Sequence, residues 1–309
     1  MTIIINADHI GQRVDNFLLG QFKLVPKSRI YKAIRKGEVR VNKKRVKPEE
    51  RLKEGDEVRL PPLWQEERQQ RIPSQSLQAL LKKSVIYENQ DIVIINKPRG
   101  LVVHGGTHID IGLIEALRYV RSDLTYLELV HRLDKETSGC LLLAKSLRIR
   151  RELHHLFVER KIKKTYLALV KGQWKGGEKK VDVSIDKKST PSGEGRMRVD
   201  VGGKSALTLF RPYKIYDEMS MVEAEIKTGR MHQIRVHAAY IGYPIVGDDK
   251  YGDRKFNTEV SKKIGKNLFL HSAALEFQIP SNGRIIAVCA TLDRIWKIKG
   301  FNSNQEYFS

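Results

Sequence analysis

Residues 128–145 read ELVHRLDKETSGCLLLAK, with one carboxylate, Asp134, set between a His-Arg pair and a Ser-Gly turn. LELVHRLD alternates as a strand does, DKETSG has the chemistry of a turn, and CLLLAK is an apolar run of the length of a buried strand. In a strand, Arg132 and Asp134 share a face because side chains repeat every two residues. A carboxylate at a strand end is held by a rigid element and stays open to a cleft. Asp134 is therefore either a turn residue accepting N–H bonds from the residues after it, or a group that does chemistry.

Outward from this stretch, short β-rich runs recur at VIYENQDIVIINKPRG (85–100), TYLALVKG (165–172), MVEAEIK (221–227) and RIIAVCATL (284–292). Helical patterns separate them at 146–160 and 230–241. This mixture predicts an α+β protein whose main domain, residues 85–309, is a mixed, mainly antiparallel sheet flanked by helices. Residues 175–205, rich in Lys, Gly, Ser and Asp, read as an exposed hairpin or loop. Residues 61–84 turn to Pro, Gln, Glu, Arg and Ser with little periodicity, which predicts a linker. Residues 1–60 read as a small basic α/β unit. Val14, Phe17 and Leu18 repeat at helical spacing, as do Ile30, Ala33 and Ile34, with Gly37 as a C-cap and two strand-like pieces, EVRVN and DEVRLP, after it. The second helix carries Lys27, Arg29, Lys32, Arg35 and Lys36 within about three turns, either a solvated surface or a binding face.

The 309 residues hold 57 Lys and Arg against 36 Asp and Glu, a formal charge of +21, and the pI is about 9.9. Such a field draws polyanions, and nucleic acid is the one expected here because each neutralised phosphate releases condensed counterions. Cys140 and Cys289 stand far apart and outside any C-x-x-C pair, which excludes a zinc ribbon and a disulfide framework and fits a reducing cytoplasm. The longest apolar runs fall well short of the roughly 18 residues of a membrane span, and the N-terminus shows no secretory pattern.

Two further pieces bear on Asp134. EIKTGRMHQIRVHAAYIG passes from strand to helix at Thr228 and Gly229, which predicts Arg230 in the first helical turn. A cation there opposes the helix dipole and calls for an anionic partner, either Asp134 or a phosphate of bound RNA. Tyr166 opens a strand after Lys161, Lys163 and Lys164, a setting for an aromatic ring stacked on an unpaired base or for a core tyrosine.

The N-terminal pattern of two short helices followed by GEVRVNKKRVKPEERLKEGDEVRL resembles the S4 domain, an RNA-binding module. HRLDKETSGCLLLAK, KTYLALVKG, TGRMHQIRVH and LFLHSAAL, in this order, resemble the pseudouridine synthases of ribosomal and transfer RNA, specifically those pairing an S4 domain with a catalytic domain. NKPRGLVVHGGTHIDIGLIEALR resembles the C-type branch of the large-subunit enzymes more than the D-type branch. The resemblance implies 23S ribosomal RNA as partner, no cofactor and no metal, with a monomer as the default. It also implies that Asp134 is the catalytic residue, that Tyr166 stacks on the target uracil and that Arg230 pairs with Asp134. Arg132 would enter the space left by the flipped nucleotide, and Leu270, with His131, would line the substrate pocket. Met231 stands where Thr is more usual.

Conversion of uridine to pseudouridine needs no net redox change, and one carboxylate suits it as nucleophile at C1′ or as base at the 2′ carbon. Two rivals remain. A metal-dependent hydrolase would gather His131, Asp134, His154, His155, His232 and His237, but the five-residue and adjacent spacings do not put them on one helical face. A non-catalytic S4-type RNA-binding or assembly protein would keep its function without Asp134.

Overall fold

The computed structural model describes residues 2–22, 25, 27–60, 72–104, 111–188 and 196–296. The chain divides into two compact units, residues 1–71 and 72–309. In the first, β1 (Thr2–Ile4), α1 (Val14–Gln21), α2 (Lys27–Lys36), β2 (Arg40–Val41), β3 (Lys44–Arg45) and β4 (Glu57–Arg59) form two helices and a sheet of order β1-β4-β2-β3. Val14, Phe17 and Leu18 of α1 and Ile30, Ala33 and Ile34 of α2 close the core with Val39, Leu52 and Val58. Gly37, at φ 72°, ends α2 in the left-handed conformation that glycine adopts without strain. Burying Ile30, Ala33 and Ile34 turns Lys27, Arg29, Lys32, Arg35 and Lys36 outward, and all five are exposed.

The second unit runs α3 (Gln75–Lys83), β5 (Val85–Glu88), β6 (Ile92–Lys97), α4 (Leu113–Val120), β7 (Glu128–Leu129), β8 (Ser138–Ala144), α5 (Leu147–Val158), β9 (Lys163–Lys171), β10 (Lys179–Asp182), β11 (Ile185–Lys188), β12 (Arg196–Val199), β13 (Leu207–Ile215), β14 (Met219–Ile226), α6 (Gln233–Tyr240), α7 (Arg254–Ile264), β15 (Leu270–Gln278) and β16 (Ile285–Cys289). Helix α3 corrects the expected linker over 61–84. Ser74 caps it by accepting from the Leu77 N–H, and Leu81 is buried. The part of the expected linker over 61–71 lies outside the described residues.

The main sheet has the order β10-β13-β14-β9-β15-β8-β6-β5, with β16 added at β15 and β7 at β8. Every pairing is antiparallel except β8 with β15, so the sheet is mixed and mainly antiparallel. Alternation sorts its side chains: Tyr166, Ala168 and Val170 meet α4 and α6 on one face, while Leu167 and Leu169 meet α7 on the other. Strand β8 is buried along its whole length, and its Ile-rich neighbour β6 packs on α5 through Ile92 and Ile94. Helices thus cover both faces, and among the described residues none is long and apolar enough to cross a membrane.

At the β8–β15 crossing Gly139 has φ 105°, and a Cβ there would lie 2.2 Å from the Ser272 carbonyl oxygen. Gly139→Ala is therefore expected to lower stability by about 3 kcal/mol or more, since backbone strain adds to a backbone clash. Chemical denaturation, read as a fall in midpoint at unchanged slope, checks this.

Two further elements differ from expectation. The strand expected over LELVHRLD stops at Leu129. One register step further, the Val130 N–H still donates to the Leu142 carbonyl at 3.1 Å, but the Leu142 N–H donates to His131 Nε2 at 3.0 Å, so a side chain replaces the ladder and residues 131–134 leave the sheet. Arg132 and Asp134 thus do not share a strand face. The helix expected from Thr228 begins only at Gln233. The buried Gln233 amide explains the delay: its Oε1 accepts from the Arg230 N–H at 3.0 Å and the Thr228 hydroxyl at 2.7 Å, and His232 enters the helix at φ 55°. Arg230 therefore precedes α6 instead of lying in its first turn.

Candidate active site around Asp134

Asp134 closes its turn through the main chain, its carbonyl accepting from the Thr137 N–H at 3.2 Å. Among the described residues its carboxylate takes no bond from that turn and faces two cations or proton carriers instead. Arg235 Nη1 stands 3.4 Å from Asp134 Oδ2, and His232 Nε2 stands 3.6 Å from the same oxygen. The carboxylate side chain keeps 32% of its surface open, against 7% for Arg235.

Arg235 corrects Arg230 as the partner of Asp134. Arg230 turns its Nε to the Ser205 carbonyl at 3.0 Å, because it sits in the loop before α6. Arg235, one helical step beyond Ile234, is carried toward the turn as α6 packs down. Its fork binds Asp248 with two bonds of 2.7 Å. Burial pulls the guanidinium down, but the Asp248 bond outweighs it and the arginine lies above its ordinary value. Asp248 is buried too; burial raises it, and Arg235 with the N–H groups of Lys250 and Tyr251 brings it below the usual carboxylate range. Arg235 thus remains a fixed positive charge beneath Asp134.

His232 and Tyr251 complete the cluster. The Tyr251 oxygen accepts from the Met197 N–H at 2.9 Å and lies 2.8 Å from His232 Nδ1. Burial lowers the imidazole, and Asp134 opposes that shift.

Tyr166 is buried on β9, cross-strand from Ser272 of β15 and Ala224 of β14. Burial raises its hydroxyl well above the ordinary phenol value. Leu270 and Leu133 belong to the same apolar cluster as Tyr166, so the expected stacking and pocket residues stand together beside the Asp134 turn. Arg132 is exposed one residue before buried Leu133. His131 differs from expectation: its ring packs on Phe157 at 5.0 Å and its Nε2 holds the Leu142 N–H, so it anchors the strand end and does not line a pocket. Burial pushes it down to about 4, which keeps the ring neutral as that accepted bond requires. Among the described residues no three His, Cys, Asp or Glu side chains gather as a metal set.

Lys97, at the end of β6, is fully buried. Its Nζ donates to the carbonyls of Pro98, Leu101 and Lys135 at 2.9 to 3.0 Å, binding the 98–101 loop to the residue after Asp134. Burial pushes the amine down to about 7, while three carbonyls ask for the three N–H donors of the ammonium.

Sequence reasoning missed Arg235, His232, Tyr251, Asp248 and Lys97 as parts of one site. One signal was available: QIRVHAAY sets the charge of Arg235 between Ile234 and Val236 in a short helical window with no acidic residue of its own, so burial of that window calls for a carboxylate from elsewhere.

The mixed sheet of the second unit and the small two-helix unit that precedes it in the chain define the class, an enzyme that modifies RNA. Residues 91–240 match the family model for RNA pseudouridylate synthase and residues 12–58 that for the S4 domain. The chain belongs to the RNA pseudouridylate synthase family and is an RNA pseudouridine synthase. It is 48% identical over 295 residues, 94% of this chain and 92% of the relative, to ribosomal large subunit pseudouridine synthase C of Escherichia coli K12. It is 44% identical over 96% of its length, and 92% of the relative, to the protein of that name from Haemophilus influenzae. Among solved structures, human RNA Pseudouridylate Synthase Domain Containing 4 superposes at a TM-score of 0.58 with 26% identity, covering 71% of this chain and 92% of that one. Domain Containing 1 superposes at 0.57 with 28% identity, covering 67% and 82%.

Proposed function

We propose that this chain converts specific uridines of 23S ribosomal RNA to pseudouridine without a cofactor, as a monomer in the cytoplasm, with Asp134 as the catalytic carboxylate. The observation that carries it is the placement of Asp134 Oδ2 against Arg235 and His232, with 32% of its side chain exposed and its charge acting on the buried Tyr166 hydroxyl. The names of the curated relatives support the large-subunit substrate.

The reaction breaks the C1′–N1 bond, turns the uracil and joins C1′ to C5; the C5 proton leaves to solvent and N1 gains one. Uracil departs as a delocalised anion, so no second carboxylate is needed as acid. Asp134 meets the sugar as nucleophile or base, and buried Arg235 keeps a positive charge against it throughout. Tyr166 stacks on the extruded uracil, offsetting roughly 1–3 kcal/mol of the stacking lost on flipping, and Leu270 walls the pocket. Arg132, exposed beside the turn, fills the vacated stack, and Arg230 contacts a phosphate. Lys27, Arg29, Lys32, Arg35 and Lys36 on α2 hold the RNA backbone, orienting it without reading bases.

Incubation with unmodified 23S transcript carrying tritium at uridine C5 tests this. Tritium release from 23S with none from transfer RNA is the expected result; release from transfer RNA alone would reassign the substrate, and release from neither would overturn the proposal.

A further inference from the structure

Asp134 has two oxygens in unlike surroundings. Arg235 Nη1 and His232 Nε2 both approach Oδ2, at 3.4 and 3.6 Å, and among the described residues no hydrogen bond reaches Oδ1. The second contact depends on which imidazole nitrogen carries the proton. Tyr251 decides that. Its oxygen accepts the Met197 N–H, and when its own proton goes to His232 Nδ1 at 2.8 Å the imidazole proton is left on Nε2, facing Asp134. The Tyr251 ring is held in turn, packed edge-on to His232 at 5.5 Å and under the Arg235 guanidinium at 5.2 Å. The left-handed turn at His232, φ 55°, brings the ring to this place. A non-glycine residue rarely holds this conformation unless the surrounding structure fixes it, and here the contact with Asp134 goes with it.

We propose that His232 is a positioning residue: its Nε2–H, fixed by Tyr251, shares Oδ2 with Arg235 and so presents Oδ1 of Asp134 to the reacting sugar. The proposal rests on Asp134 being the catalytic carboxylate. Its gain is orientation, since a small misplacement of a reacting atom lowers rate without weakening binding.

The test uses the full chain and the tritiated 23S transcript, with single-turnover rates at saturating enzyme, RNA Kd and thermal midpoints for four variants. His232→Leu removes the donor. His232→Gln returns an N–H near the Nε2 position. Tyr251→Phe leaves Nδ1 free to take the proton and turns a lone pair toward the carboxylate. Asp134→Asn tests the reading beneath. The expected result is a rate lower by about tenfold or more in His232→Leu, with Kd within about twofold of wild type. His232→Gln should return to within about threefold of wild type, and Tyr251→Phe should fall between. A wild-type rate in His232→Leu overturns the proposal, as does a His232→Gln variant as slow as His232→Leu, which would make the ring a packing element only. A fully active Asp134→Asn would instead remove the catalytic assignment of Asp134 itself, so the two failures are separable.

Discussion

Asp134→Asn is expected to abolish tritium release from 23S transcript, by about a thousandfold or more, while RNA binding stays within about twofold. Asn keeps the size of the side chain and an oxygen for Arg235, so the turn closed by the Asp134 carbonyl and the Thr137 N–H is undisturbed. What it loses is the negative charge, and neither attack at C1′ nor removal of the 2′ proton proceeds without it. Binding rests elsewhere, on the excess of cations in a chain of charge +21, and phosphate contacts do not depend on this carboxylate. Filter binding and tritium release on one preparation check both halves. Full activity in the variant would place the catalytic group elsewhere in the chain.

Arg235→Met is expected to damage both stability and chemistry, and a second substitution separates the two. Asp248 is almost wholly buried and takes two 2.7 Å bonds from Arg235. Removing the arginine leaves a carboxylate in the interior with no cation, which costs about 3–5 kcal/mol. Asn at 248 can still accept the N–H groups of Lys250 and Tyr251, each 2.9 Å from Oδ1 in the native chain, and has no charge to compensate. Arg235→Met/Asp248→Asn should therefore regain most of the lost stability in urea denaturation. It should remain slow in tritium release, because Asp134 still lacks its guanidinium. Recovery of both together would mean that Arg235 matters only through folding. Arg230→Met should leave stability near wild type, since among the described residues that side chain bonds only the Ser205 carbonyl. The contrast between the two arginines measures the correction made to the sequence reading.

That correction shows where local pattern stops being informative. TGRMHQIR offers two arginines five residues apart. Helical periodicity pointed to Arg230, because a helix starting at Thr228 would expose it to an unfavourable dipole. The buried Gln233 side chain instead holds the Arg230 N–H and the Thr228 hydroxyl, and delays the helix by a turn. Nothing in an isolated octapeptide says that Gln233 will find Leu207 and Thr208 of a strand more than twenty residues earlier. His131 shows the same limit: its neighbours in sequence suggest a pocket, and its ring is taken by a strand N–H eleven residues on. The linker expectation failed over 75–83 for a smaller reason. Leu77 and Leu81 stand four residues apart on the face that meets the core, behind the Ser74 cap, but the Pro-, Gln-, Arg- and Ser-rich residues around them carry the composition of a linker.

By itself the sequence determined the α+β class, the basic N-terminal unit and strands within VIYENQDIVIINKPRG, CLLLAK, TYLALVKG and MVEAEIK, and it set Asp134 at a turn and Tyr166 near a strand start. These follow from short-range causes: alternation, capping, turn residues and net charge act within a few residues along the chain. Tertiary structure alone decided that Arg235 and His232 share one oxygen of Asp134, that Asp248 and Tyr251 hold those two side chains, and that Lys97 ties the 98–101 loop to Lys135. Each of these contacts joins segments from over ten to more than a hundred residues apart, brought together by the β8–β15 crossing and the packing of α6. The interaction that orients a buried charge is set by where the sheet leaves it, and local pattern does not encode that position.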